Sequence, residues 1–266
     1  TYKINYQRIL TANCITRYNG NYCHLNASDI HHSYYWTSCV ELLKMPINLP
    51  FLAVKAVPSL FWSSPKPHNL RPQFITLVYL ILGLSLFGLG EALLIAAGIG
   101  VSPWTVLAQG VSNLSGWSIG LSTFIISTIV LFLWWPLKQL PGIGTILNAI
   151  VIAAILEFVL PYLPTPGTNL TRIIQAIAGV LVTGLGGAIY LISNLGPGPR
   201  DGLMTGLQQL TNLSIALVRG SIEVSAVIVG WLLGGEVGLG TILFAFFIGP
   251  SLSSSLFLLN KLYNQN

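Results

Sequence analysis

From Gly83 to Ile150 the chain repeats itself 96 residues further on, without a gap. Gly88-Leu89-Gly90 returns as Gly184-Leu185-Gly186, and Gly100-x-x-Pro103 returns as Gly196-x-x-Pro199. Gly142-x-Gly144-Thr145-Ile146-Leu147 returns as Gly238-x-Gly240-Thr241-Ile242-Leu243. Pairing each residue with its counterpart gives 22 identities in 68 positions. Chance in so Gly- and Leu-rich a chain would give about one in ten. The fold must therefore be assembled from two like halves.

Composition names the solvent of those halves. Charged residues are 7% of the chain and apolar residues 53%, whereas a soluble domain carries about a quarter charged residues. This is an integral membrane protein, with the lipid bilayer as its first partner. A span needs about 20 mostly apolar residues. Six stretches qualify: Phe74–Ile99, Ile119–Leu137, Ile143–Leu160, Leu170–Leu195, Ile215–Leu233 and Leu239–Leu259. Each copy holds three of them, an odd number, so the second copy must sit upside down relative to the first. The expected fold is all-α: six transmembrane helices as two inverted three-helix repeats, about 74–160 and 170–260. Each repeat also carries a short interfacial or re-entrant helix, Trp104–Leu114 or Gly202–Leu213. These follow Pro103 and Pro199, and proline suits a first helical turn. The interface is the favoured location for them.

Charge sets the orientation. Lys44, Lys55, Lys66 and Arg71 precede the first span, and threading six spans puts Lys138, Arg200 and Lys261 on the same face. Only Arg172 falls opposite. The positive-inside rule then places both termini in the cytoplasm. Trp134 and Trp135 end the second span, and Trp231 ends the fifth, as members of aromatic belts. The cations are scattered, so the net charge of +5 gives no reason to expect nucleic acid.

Residues 1–70 do not match the rest. They are polar, hold Cys14, Cys23 and Cys39 and all four histidines, and show no sustained helical or strand period. They are expected to form a poorly structured extension, with 1–44 as upstream sequence outside the working protein. The membrane domain spans 71–262. Phe51–Trp62 is expected to lie in the interface, with Trp62 among headgroups. A zinc set from Cys14, Cys23, His31 or His32, and Cys39 has irregular spacing and no CxxC, so no metal is expected.

The candidate functional residues are charges in apolar surroundings. Arg219 and Glu223 are four apart, hence on one helix face. Glu223 lies near mid-span, where a charge is costly and marks a site more often than not. The pair also reads as a neutralising intrahelical bridge. Glu91 lies well inside the first span, where desolvation disfavours the charged form, so it is a candidate proton carrier. A hydrogen bond to a neighbouring helix is the plainer reading. Glu157 lies near the end of its span and is expected to be solvated. Asn148, Asn194 and Gln109 either face a cavity or bridge helices. In Gly196-Pro-Gly-Pro-Arg200-Asp201-Gly202, Asp201 falls in a first helical turn, which favours a carboxylate. Arg200 can hold an anion bidentately. The pair is assigned to an inner gate or a docking surface, beside the plainer reading of a helix cap and a positive-inside anchor. This loop is neither a Walker loop nor a dinucleotide fingerprint.

The copies differ where these charges fall. Trp104-Thr105 becomes Arg200-Asp201, and Thr123 and Ser127 become Arg219 and Glu223. The glycines are shared, and close helix packing is the first reason for them.

At Gly88-Leu-Gly-Glu-Ala, Gly100-Val-Ser-Pro-Trp-Thr-Val-Leu, Leu195-Gly-Pro-Gly-Pro-Arg-Asp-Gly-Leu-Met-Thr-Gly and Gly235-Glu-Val-Gly-Leu-Gly-Thr the chain resembles the YczE-like group of bacterial integral membrane proteins, related to the YitT type. The resemblance runs from about residue 71 to 262. It implies a bacterial plasma-membrane protein with five or six spans. It supplies no biochemical activity and no residue roles.

The function expected is a small secondary transporter or permease, with a midplane site for an unidentified small solute or ion between the repeats. Arg219 and Glu223 are assigned as ligands and Glu91 as a coupling proton site. The alternative is a membrane scaffold assisting a partner enzyme or export system; a protein partner or self-association stays open. The membrane part has no His or Cys and no nucleophile–base set, so an enzyme and a cofactor are not expected. A polar cavity between the halves favours transport, and a packed centre favours the scaffold.

Overall fold

The computed structural model describes residues 57–264. Residues 1–44, with their cysteines, the first half of Phe51–Trp62 and the cations Lys44 and Lys55, lie outside the described residues. Among the described residues there are eight α-helices and no strand. They are α1 (Phe74–Ala97), α2 (Pro103–Ser115), α3 (Ile119–Trp134), α4 (Ile143–Val159), α5 (Asn169–Ser193), α6 (Pro199–Thr211), α7 (Ile215–Leu232) and α8 (Leu239–Asn264). A 3-10 turn, Leu160–Tyr162, extends α4. Helices are the form such apolar segments must take, because lipid offers no partner to a free backbone N–H or C=O.

Five helices are long and apolar enough to cross a membrane alone: α1, α4 with its 3-10 turn, α5, α7 and α8. The sixth expected span, Ile119–Leu137, stops at Trp134. Trp135 still has helical backbone (φ −55°), but Pro136 has no N–H to carry the ladder on, and Lys138 takes a left-handed φ of 52°. The 16 residues of α3 reach about 24 Å, short of a hydrocarbon core of about 30 Å. α2 meets α3 at a bend of 112°, and a sixth candidate crossing is reached only if the bent pair counts as one span. The second short helix begins at Pro199 and ends at Thr211, earlier at both ends than the expected Gly202–Leu213. Pro199 occupies the first turn, and Asn212 takes a left-handed φ of 54° that stops the helix.

The sequence repeat is also a repeat of elements. α2 starts at Pro103 and ends at Ser115; α6 starts and ends 96 residues later. Ser118 and Ser214 cap α3 and α7, their hydroxyls accepting from Leu121 N and Leu217 N. Left-handed backbone recurs at Gly98 and Asn194, and at Gly116 and Asn212. It recurs again at Gly100 (φ 104°) and Gly196 (φ 111°), where only glycine fits without strain.

Packing between the copies is reciprocal. α1 and α5 form the largest helix contact. A Cβ on Gly83 would lie 2.9 Å from Gly186 O, and one on Gly179 would lie 2.8 Å from Gly90 O. The two contacts exchange when 96 is added to or subtracted from each number. The same holds for Gly144 N donating to Leu195 O (2.8 Å) and Gly240 N donating to Ile99 O (2.7 Å). α1 also packs on α4 as α5 packs on α8, and α2 on α7 as α6 on α3. One pairing breaks the pattern. α3 packs along α4, whereas α7 and α8 barely touch.

The described residues before α1 form no helix, yet they are pinned. Ser64 N donates to Ser193 O at 3.0 Å, and Asn194 Nδ2 donates to Ser64 O at 2.8 Å. Trp62 is not among headgroups: it is 5% exposed and stacked on Tyr79 at 4.3 Å. Burying so large a ring against Leu60, Ala188, Ile192 and Leu256 outweighs the gain of leaving it at the interface. Trp134 departs in the same way. It is 2% exposed, and its Nε1–H donates to Pro199 O at 2.9 Å, whereas Trp135 and Trp231 remain exposed.

Candidate functional site

The two short helices start inside the bundle. After α5 the chain passes Gly196 in a left-handed turn and runs back along the helix. Tyr190, three residues before the end of α5, donates its hydroxyl proton to Gly196 O at 3.1 Å. Thr145 Oγ1 on α4 donates to Pro197 O at 2.6 Å. Both bonds fix the Gly-Pro-Gly-Pro loop, and α6 then begins beside the body of α5. In the first copy α2 begins beside the body of α1, since Ser102 and Thr105 bond Glu91 there. A helix start carries partial positive charge.

Trp104 and Arg200 are the same position in the two copies, and they touch. The guanidinium carbon of Arg200 lies 5.5 Å from the Trp104 ring centroid and 5.9 Å from that of Phe87 on α1. Contact between equivalent positions is what a two-fold relation between the halves would produce at its axis. Trp134 locks the arrangement from below, its ring filling the space that a Cβ on Gly202 would need.

Around this contact lies a cavity of about 240 Å³. The starts of both short helices line it, with Pro103 and Trp104 from one copy and Pro199, Arg200 and Asp201 from the other. Arg219 and Glu223 of α7 and Asn148 and Tyr190 of α4 and α5 add polar groups. Phe87, Phe244, Ile248 and Leu252 supply apolar wall. Arg219 Nε and Glu223 Oε1 are 3.0 Å apart, with the side chains 55% and 32% exposed, so the pair neutralises itself yet faces open space. Asp201 is also exposed. Its Oδ2, Tyr190 Oη and Asn148 Nδ2 lie 3.3, 3.4 and 3.5 Å from the point where a Cβ on Gly198 would stand. Three helices thus bring a carboxylate, a phenol and an amide to one spot, and a side chain at position 198 would fill it. The cavity is flanked by α7 on one side and α8 on another, the two helices that barely touch.

Of the five residues picked from sequence, Arg200, Asp201, Arg219 and Glu223 meet in this cavity. Glu91 does not line it. It is 1% exposed, with Oε2 accepting from Ser102 Oγ (2.7 Å) and Thr105 Oγ1 (2.6 Å). Asn148 faces the cavity. Asn194 and Gln109 instead bond backbone, at Ser64 O and Glu236 N, and Glu157 is exposed. Sequence reasoning passed over Phe87 and Tyr190. Tyr190 could have been found, because it stands where the first copy has Leu94, another break of the repeat toward polarity.

One relative is named as a membrane protein, and none is named with an activity. An uncharacterized protein of Haemophilus influenzae is 44% identical over 196 residues, covering 74% of this chain and 89% of the relative. The uncharacterized membrane protein YczE of Bacillus subtilis is 33% identical over 184 residues, 69% of this chain and 83% of the relative. The uncharacterized protein YyaS of the same organism is 26% identical over 170 residues, 62% and 85% of the two chains. No solved structure matches the chain. Residues 74–255, which hold both repeats and the cavity between them, match a family of unknown function, and this multi-pass membrane protein belongs to that family, DUF6198, together with its YczE-like relatives.

Proposed function

We propose that the protein is a small secondary transporter whose substrate site is the cavity between two inverted repeats. The observation that carries the reading is the cavity itself: both copies build it, two helix starts aim at it, and two cations and two carboxylates face it. A transporter needs such a place near the middle of the bundle, made from broken helices. A scaffold has no use for charges that face empty space in lipid, where they are costly. The volume suits a small solute. Exposed groups of both signs suit one that carries charge, with the anionic part against Arg200 and a cationic part at Asp201.

The seams supply the motion. α3 lies packed on α4 while its counterpart α7 stands off from α8. Two copies of one unit in two different conformations can exchange them, so that α7 closes on α8 as α3 leaves α4. Rocking of this kind exposes a fixed site to alternate faces. The reciprocal glycine contacts of α1 and α5 form the fixed axis, and the distribution of cations supports cytoplasmic termini.

The test is counterflow in liposomes. Purified protein is screened for solutes that raise its melting temperature, and the hits are offered as labelled tracer to vesicles loaded with unlabelled solute. Wild type should concentrate label, and Glu223→Gln should not, while eluting as the same folded species. Full exchange by Glu223→Gln would remove that residue from the site. A protein that recognises no solute class and purifies with a stoichiometric partner would return the scaffold reading.

A further inference from the structure

The central cavity has a small twin. A chamber of about 20 Å³ is walled by Trp104, Thr105, Thr123, Ser127, Pro199 and Arg200. The counterparts of Thr105, Thr123 and Ser127 are Asp201, Arg219 and Glu223, which line the large cavity. The chamber is therefore the same site in the other copy, with hydroxyls in place of charges. Its volume suits one water, which needs roughly 10–15 Å³ and several polar partners. Trp104, Pro199 and Arg200 are walls of both spaces, so the two adjoin at these residues.

Behind the chamber stands Glu91. Thr105 lines the chamber, and its Oγ1 also donates to Glu91 Oε2. Ser102 Oγ closes a triangle, 2.7 Å from Glu91 Oε2 and 2.9 Å from Thr105 Oγ1. Two hydroxyl protons serve three contacts; a proton on the carboxyl would complete all three without moving an atom. The second oxygen, Oε1, is buried and has no partner. Such a group is the kind of buried polar atom that calls for an explanation.

We infer that Glu91 is a proton-binding site fed from the central cavity through one water and one hydroxyl. A proton reaching the chamber water makes H3O⁺. That ion gives a proton to Thr105 Oγ1 while Thr105 passes its own to Glu91 Oε2. The water ends neutral, the threonine ends unchanged, and the carboxylate becomes an acid. Among the residues that wall the chamber only Arg200 is charged. Seated on Trp104, it repels an arriving proton; drawn toward an anionic solute in the large cavity, it clears the way. Thr105 is a positioning residue in this relay and Glu91 its terminus. The purpose of the relay rests on the transport reading; its existence does not.

Infrared difference spectroscopy of the protein in liposomes tests it, with D2O and changes of pH as the only probes. A carboxylic-acid carbonyl band should be present in wild type, shift in D2O, and be missing from Glu91→Gln. In Thr105→Val the band should persist while its H/D exchange slows by roughly a hundredfold, the usual scale of losing a positioned proton-transfer group. Thr105→Ser should restore the rate. A spectrum that does not change in Glu91→Gln, or an exchange rate unaffected by Thr105→Val, overturns the inference. If the band and its Thr105 dependence hold while no solute supports counterflow, the transport reading falls alone. If counterflow stands and the band is absent, the relay falls alone.

Discussion

At residue scale the telling position is 200. A lysine there would keep the charge but lose the flat guanidinium that lies between Trp104 and Phe87. A fork that can hold an anion with two charge-assisted bonds becomes a single point donor, a loss of about 1 kcal/mol, so Arg200→Lys should weaken solute binding by roughly fivefold, read as a smaller solute-induced rise in melting temperature. The unliganded protein should melt close to wild type, because Pro199 O and Trp134 keep their bond. An unchanged affinity would mean that Arg200 serves only as an anchor. Arg219 and Glu223 illustrate how two readings of one pair can both hold. They bridge each other at 3.0 Å, as an intrahelical pair four apart should, and they still present their outer edges to the cavity. Arg200 and Asp201, read from sequence as an inner gate or a docking surface, line the cavity beside Trp104.

At the scale of elements the glycines of α1 and α5 decide how near the halves can come. A Cβ on Gly90 would lie 2.5 Å from Thr183 N and 2.6 Å from Gly179 O, atoms of a helix backbone that cannot step aside. Gly90→Leu should therefore force α1 and α5 apart, at a cost of about 1–3 kcal/mol or more, visible as a fall of several degrees in the melting temperature in detergent. Gly167→Leu is the control, since nothing lies within 4 Å of a Cβ there; it should melt as wild type. Equal melting of both variants would contradict the close contact. The short helices show how bonds to neighbouring helices bury a helix start. Eleven or twelve apolar-to-polar residues read as surface helix by length. Ser102 and Thr105 bonding a buried acid inside α1, and Tyr190 catching Gly196 O, pull each start into the bundle. Those bonds join residues 6 to 14 apart in sequence across a turn that no helical period announces.

For the whole molecule, inversion is the claim with most consequence. Asn113 and Gln209 are equivalent, both exposed, and near the ends of α2 and α6. In a background with Cys14, Cys23 and Cys39 changed to serine, Asn113→Cys and Gln209→Cys should react with a membrane-impermeant maleimide from opposite faces, the second from the cytoplasmic one. Labelling of both from one face would end the inverted reading. The cavity makes a second demand. Ile248 lines it, whereas Phe246 is 72% exposed on the outer surface of α8. Ile248→Cys should react with a small water-soluble thiol reagent, be protected by a bound solute, and do so while Phe246→Cys stays inert in the bilayer.

The sequence by itself determined the medium, the helical class, the 96-residue repeat and which positions break it. All are one-dimensional properties: composition is a sum, a span is a run, and a duplication is an offset. It also marked Arg200, Asp201, Arg219 and Glu223, because a charge in an apolar run stands out wherever the chain goes. Only the tertiary structure decided that these four share one cavity, that Glu91 lies behind a separate chamber, and that Trp62 and Trp134 are buried. It alone set α7 apart from α8 while α3 lies on α4. Those facts depend on which helix faces meet, and helices apolar on every side carry no stripe to say which face turns inward. In lipid the choice falls to small residues and a few hydrogen bonds between helices, whose partners are far apart in the chain and come together only when it is folded.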